Sequence, residues 1–360
     1  VIQLSDWARD LLLSRGALVE SEGNGELRAL LPPEVSAKLA SGDWLSLNFG
    51  ARAGADDPGE WLERLAALLP PAPAAAGARL RQRMPPGRID AGAVLNREMV
   101  IQNGVCRLVE DYAETAPYCL FSFQYTIESD ERTAGYASVC LNAVSRGLAE
   151  QPERLLRAVR DELEEDPAAS QPPEQLRRLY AQAVVLAQSE VRERIAAVEQ
   201  SANRRLARDS ERMESYYSGL LAQLEKRAAR RDAAEKERGR IEATQLDRAA
   251  KQEDLIRKYS LRVQVELTDV LAAQLPVRAI AARIVRKKEE RAMTLHWNAV
   301  LQALDTPLCE HCGGRARPVY LCEKVHLLCG ACWSACPACG RVFCRKCQAR
   351  CKCGAMPATD

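Results

Sequence analysis

Residues 309–353 read CEHCGGRARPVYLCEKVHLLCGACWSACPACGRVFCRKCQARCKC, and 11 of the 14 cysteines of this 360-residue chain fall inside this stretch. Four gaps have the form Cys-x-x-Cys: Cys309/Cys312, Cys329/Cys332, Cys336/Cys339 and Cys344/Cys347. A turn of that length presents two thiolates to one ion, which is what structural zinc needs. A disulfide framework is the competing reading, but it belongs to short secreted chains. Here no secretory signal is visible, and only Cys106, Cys119 and Cys140 lie outside the stretch, in apolar runs expected to bury them. Zinc is therefore the expected cofactor and the cytoplasm the expected location. Cys309, Cys312, Cys322, Cys329, Cys332, Cys336, Cys339, Cys344, Cys347, Cys351 and Cys353 with one histidine make twelve donors, enough for three four-coordinate ions. His326, between Cys322 and Cys329, is the better placed histidine. His311 lies inside the Cys309/Cys312 turn and is read as a non-ligand.

The order from Cys309 to Cys339 is Cys-x2-Cys-x9-Cys-x3-His-x2-Cys-x2-Cys-x3-Cys-Pro-x-Cys, which resembles the cross-braced RING finger family. Carried onto these positions, the resemblance implies one zinc on Cys309, Cys312, Cys329 and Cys332, and a second on Cys322, His326, Cys336 and Cys339, with Pro337 also in pattern. The gap from Cys332 to Cys336 is one residue shorter than in that family. Glu310 and His311 also stand where its ligases carry an aliphatic residue for the conjugating enzyme. A row of zinc ribbons, Cys309/Cys312 with Cys329/Cys332 followed by interleaved knuckles, satisfies the same spacing, so the pairing stays open.

From Cys309 to Asp360 eight basic residues face three acidic ones. Three zinc ions held by eleven thiolates contribute five negative charges, which brings the module close to neutral. Duplex affinity rests on neutralised phosphates, so protein contact is the expected use and nucleic-acid contact an indirect one, through the side from Arg341 to Lys352. The whole chain agrees, with 51 Lys plus Arg against 49 Asp plus Glu.

Working back from the cysteines, Arg262–Leu267, Val277–Val285 and Ala292–Trp297 read as strands, with a charged tip at Arg286–Glu290, and give a small β module over 259–305. Before it, residues 174–258 lack proline and are rich in Ala, Leu and charge. Leu206, Met213 and Leu220 recur every seven residues, with Tyr217 and Leu224 at the alternate positions, so 171–258 is expected as a coiled coil or helical hairpin, hinged near Gly239. This run also offers a route to a homo-oligomer. Residues 87–170 form an α/β domain in which Cys119, Phe121, Phe123, Tyr125 and Ile127 alternate with polar positions, and a turn at Glu128–Arg132 closes a hairpin. Residues 70–86, rich in Ala and Pro, read as a linker. Residues 1–69 read as an α/β domain with winged-helix-like features: a helix from Ser5, strands over 17–20 and 26–31 joined at Ser21–Gly25, a helix from Pro33, and a strand over 44–49. The 306–360 zinc module completes an α+β multidomain chain. No segment approaches the roughly 18 apolar residues of a membrane span. Val1 is not preceded by Met, which suits a piece of a longer protein.

The segments Gly25–Pro33 and Tyr125–Arg132, with the order of parts just described, resemble uncharacterised bacterial proteins that accompany or extend Swi/Snf-type helicase-like ATPases. That resemblance implies a helicase-like ATPase as protein partner. The sequence has no Gly-x4-Gly-Lys-Ser/Thr loop, Gly-x-Gly-x-x-Gly, His-Glu-x-x-His or Gly-x-Ser-x-Gly. A non-enzymatic adaptor or accessory subunit is thus the first expectation, a RING-like ligase of a ubiquitin-like pathway the second, and a nucleic-acid-binding zinc protein the third.

Overall fold

Two runs dense in Val, Leu, Ile and Ala, and lacking an internal glycine, form the longest strands of the chain. The computed structural model describes residues 4–22, 26–49, 58–69, 74–81, 86–229, 234–336, 338–348 and 351–353. They divide into two units, Val1–Ala74 and Ala75–Asp360.

In the first unit α1 (Leu4–Ser14), α2 (Pro33–Leu39) and α3 (Pro58–Ala66) accompany an antiparallel sheet of β1 (Leu18–Glu22), β2 (Glu26–Leu30) and β3 (Trp44–Asn48), in that order. Glu22 pairs with Glu26, so the predicted hairpin is present, although Gly23, Asn24 and Gly25 lie outside the described residues. The alternation of β2 and β3 turns Leu27, Ala29, Leu45 and Leu47 inward against Ala8, Leu12 and Leu39.

The second unit begins with β4 (Ala74–Leu80), where a linker is expected. Its Ala-rich sequence has little strand propensity of its own. Pairing supplies the order instead, Ala78 to Leu80 lying against β8 (Leu163–Glu165). Gly77 permits the close approach: a Cβ there would meet the Asp166 carbonyl oxygen at 2.3 Å. After α4 (Ala91–Glu98) come β5 (Val105–Glu128), β6 (Arg132–Asn142), β7 (Leu148–Ala149), α5 (Pro152–Val159), α6 (Pro173–Ala228), α7 (Ala234–Tyr259), β9 (Arg262–Arg286), β10 (Glu289–Asn298) and β11 (Ala303–Leu304). The turn expected at 128–132 closes β5 onto β6, with Glu128 opposite Arg132.

The expected boundaries at 170/171 and 258/259 do not separate sheets. β5 and β9 are antiparallel partners from Val105↔Val285 to Glu128↔Arg262, so the two β-rich stretches share one sheet and the helices between them are an excursion from it. The strand order is β11-β10-β9-β5-β6-β7. Its ends meet, because Leu148 and Thr306 exchange both backbone hydrogen bonds at 2.8 Å. One face of the sheet carries Cys119, Phe121, Phe123, Val139 and Val270, and α6 covers it with Leu179, Ala183, Leu186 and Val191. The opposite face gathers Tyr118, Leu120, Cys140, Leu275 and Val277.

The helical run, expected as a coiled coil or a helical hairpin, is an antiparallel helix pair whose seam differs from the expected heptad. α6 and α7 lie antiparallel, with Tyr217 donating to Asp247 at 2.5 Å, Tyr259 to Asp209 at 2.6 Å and Arg248 to Glu214 at 2.6 Å. The buried seam on α6 is Tyr217, Leu221 and Leu224, whereas Leu206, Met213 and Leu220 are half-buried. Polar side-chain bonds register the pair, so a strict heptad is not needed. α6 ends at Ala228 and α7 starts at Ala234, so Gly239 sits inside α7.

Candidate metal centres

Residues 306–353 form few regular elements: β12 (Tyr320–Leu321) with β13 (Leu327–Leu328), and β14 (Trp333–Ala335) with β15 (Val342–Cys344). Their loops bring twelve donors into three groups. Cys309, Cys312, Cys329 and Cys332 form the first, Cys322, His326, Cys344 and Cys347 the second, and Cys336, Cys339, Cys351 and Cys353 the third. Within each group the donor atoms lie within 4.8 Å of one another, and each group can coordinate one metal ion. His311 lies outside all three.

The separations match a tetrahedron. Zinc–sulfur bonds of about 2.3 Å place two sulfurs about 3.8 Å apart, and a sulfur and an imidazole nitrogen about 3.6 Å apart. Observed Sγ–Sγ distances are 3.8 Å for Cys312–Cys329, 3.7 Å for Cys322–Cys347, 3.6 Å for Cys336–Cys353 and 3.5 Å for Cys339–Cys351. His326 turns Nδ1 toward all three sulfurs of its group, at 3.4 Å from Cys322, 3.8 Å from Cys344 and 3.3 Å from Cys347.

Local geometry explains why each pair is presented together. In the Cys309 turn the Gly313 amide donates to the Cys309 carbonyl and the Cys309 amide to the Gly314 carbonyl. Gly313 takes φ +75°, a conformation that glycine tolerates without strain. In the second group the backbone N–H groups of His326 and Cys347 point at the sulfurs of Cys322 and Cys344, at 3.4 and 3.3 Å. Sulfur crowding decides the protonation. In the first group a hydrogen bond from Cys329 pulls the Cys309 thiol down to about 4, while that same bond and burial push Cys329 up. Burial, followed by the charge of Cys309, raises Cys332 to about 12. Cys309, Cys329 and Cys332 ionise together only when a cation joins them, so metal uptake would release protons.

The pairing corrects the RING-derived assignment. Cys309, Cys312, Cys329 and Cys332 group as that resemblance implied, but Cys322 and His326 meet Cys344 and Cys347 rather than Cys336 and Cys339. The hairpin of β14 and β15 is the reason: it pairs Trp333 with Cys344, which carries Cys344 and Cys347 back to His326 and leaves Cys336 and Cys339 at the far end with Cys351 and Cys353. Pro337 lies outside the described residues.

The first two groups are built into the core of the sheet. Cys309, Cys322, Cys332 and Cys344 pack with Ile280, Ile284, Leu295 and Trp297, whereas among the described residues the third group's Cys336 and Cys351 cluster with Phe343 apart from that core. Three further contacts seat the module. The Asn103 side chain donates to and accepts from the Leu321 backbone at 2.9 and 2.8 Å. The Val319 amide reaches the Val100 carbonyl at 2.8 Å. Arg286 lies 5.0 Å over the Trp333 ring and donates to the Leu321 carbonyl.

A polar cluster absent from the sequence reading lies beside this module. Tyr118 donates to Asp305 Oδ2 at 2.6 Å and Asn142 Nδ2 to the same oxygen at 3.2 Å; all three residues are buried. Burial pushes the Asp305 carboxyl up to about 8, against the pull of those two hydrogen bonds. His296 meets Glu114 at 2.9 Å, and burial holds its pKa below the ordinary range. The one sequence signal was a lone Asp in the apolar run before Thr306-Pro307. Cys119 and Cys140 are buried as expected, and Cys106 is half-buried.

No protein-family model matches the chain, and no curated protein matches it in sequence.

Proposed function

We propose that this chain is a non-enzymatic, zinc-stabilised adaptor or accessory subunit. The observation that carries the reading is the completeness of the three donor groups. Each supplies four protein donors, and sites closed in this way are structural, whereas catalytic zinc keeps a position for water or substrate. The role of the metal in this reading is to hold the short β12–β15 hairpins, which have too little apolar surface to order themselves, on the rim of a preformed sheet. Cysteine-rich sites of this kind work reduced, which suits the cytoplasm.

The partner we expect is a helicase-like ATPase or another nucleic-acid-processing protein, on the resemblance of the chain's organisation. The test is co-purification of the tagged chain from its native cells under reducing conditions, beside the double variant Cys322→Ser/Cys344→Ser. A stoichiometric ATPase retained by the native chain and lost by the variant is the expected result. Transfer of a ubiquitin-like modifier by the purified chain, with a conjugating enzyme supplied, would replace this reading with the ligase one.

A further inference from the structure

An unpaired strand edge lies next to a cavity near the metal centres. β10 has β9 along one side, but on its other side β11 covers only Trp297 and Asn298. Beyond that pair the Asp305 amide donates to the His296 carbonyl, and the chain then turns away so that Thr306 can bond Leu148. In an antiparallel ladder the N–H and C=O of one residue point to the same side, and the side alternates along the strand. With the His296 carbonyl facing away from β9, the backbone groups of Thr294 and Ala292 face away too. Among the described residues no strand takes them up.

A cavity of about 740 Å³, in the size range of ligand sites, lies next to this edge, against the face of β10 that carries Arg291, Met293 and Leu295. Its walls come from β10, the turn at 144–147, α6 and the Cys309–Gly313 turn. Gln182, on the α6 wall, has a buried Oε1 with no hydrogen-bond partner among the described residues. Such an acceptor costs free energy until a donor reaches it. Three cationic side chains line the cavity. Arg291 is held by Glu310 at 2.5 Å, while Arg146 and Lys346 have no ion-pair partner among the described residues. With zinc in the first donor group, the wall at Cys309 and Cys312 carries net negative charge, so a carboxylate would go to Arg146 and Lys346 and not to that wall.

We infer that this cavity binds an extended segment of a partner protein, which adds as a strand to the Ala292–Thr294 edge and places an acidic side chain between Arg146 and Lys346. Strand addition of this kind draws affinity from the main chain and selectivity from side-chain pockets. The inference rests on the adaptor reading and names the chemistry of one contact within it.

The test selects displayed random linear peptides on the zinc-loaded full-length chain and measures the enriched peptides on variants. Enrichment of Asp or Glu is expected, with binding weakened at least about tenfold by Arg146→Glu/Lys346→Glu and, independently, by Thr294→Pro. The proline removes an N–H that faces the open edge and leaves the β9 ladder intact. Hydrogen exchange covers the case in which Thr294→Pro fails to fold, since bound peptide should protect the amides of Ala292 and Thr294 in the native chain. Enriched peptides that keep full affinity for the charge-reversal variant and leave those two amides unprotected would overturn the inference. So would the absence of any enriched peptide. A partner that still co-purifies with the charge-reversal variant would overturn this contact and leave the adaptor reading standing.

Discussion

Cys322 and Cys347 bring their sulfurs to 3.7 Å across 25 positions of sequence, past the intervening Cys336/Cys339 pair. This pairing decides how the metal centres respond to mutation. Cys339→Ser should cost the third metal alone and leave His326 coordinated, whereas Cys347→Ser should free His326. Cobalt substitution, with the His326 imidazole followed by NMR, reads the difference directly. Release of His326 in Cys339→Ser would restore the RING-derived pairing.

The three centres should empty in order. Four cysteines of the first two groups lie in a core shared with the sheet, while among the described residues the third clusters with Phe343. Each inner group exposes one sulfur, Cys312 or Cys347, and is anchored in that core by two buried cysteines, whereas the third exposes two sulfurs, Cys339 and Cys353, and should open first. Chelation kinetics should show one fast and two slow equivalents of metal. Three equal rates would contradict this order.

Asp305 makes the sheet sensitive to pH. Its carboxyl titrates at about 8 when folded, against about 4 in an unfolded chain. The folded state therefore favours the protonated acid, and its contribution is full below pH ~4 and is lost as pH rises toward 8. Asp305→Asn keeps an acceptor for Tyr118 and removes the ionisation. The variant should gain stability over the native chain as pH rises from 6 to 8, by about 2 kcal/mol. Denaturant unfolding at the two pH values, with zinc in excess, measures it. A gap that stays constant or narrows with pH would refute the assignment.

Gly77→Ala should destabilise the second unit by about 1–3 kcal/mol, because the added methyl group would meet the Asp166 carbonyl oxygen at 2.3 Å. Thermal unfolding checks this. A neutral substitution would mean that residues 74–80 behave as a linker after all.

These outcomes bear on what the residues alone could reveal. The donors were legible because Cys-x-x-Cys is local chemistry, and the β5–β6 hairpin because Phe121, Phe123 and Tyr125 alternate within one strand. The first group was legible too, since both readings joined Cys309/Cys312 to Cys329/Cys332, but the pairing of the remaining donors was not. It depends on which hairpin carries Cys344 back to His326, and many pairings fit the same gaps. The union of β5 with β9 was equally hidden, since Phe121 and Val270 meet across nearly 150 residues of intervening chain. β4 escaped because Ala74–Leu80 has the composition of a linker, and its order comes from its partners. Arg146 and Gln182 carry no motif and acquire meaning only beside the open edge of β10.

The central claim is that three structural metal ions hold the module to the sheet. Native mass spectrometry of the full-length chain, purified under reducing conditions without added metal, tests it most directly. The account predicts three zinc ions per chain, with residues 306–353 becoming protease-sensitive when they are stripped. A chain carrying at most one zinc, or one whose cysteines are paired as disulfides, would contradict it.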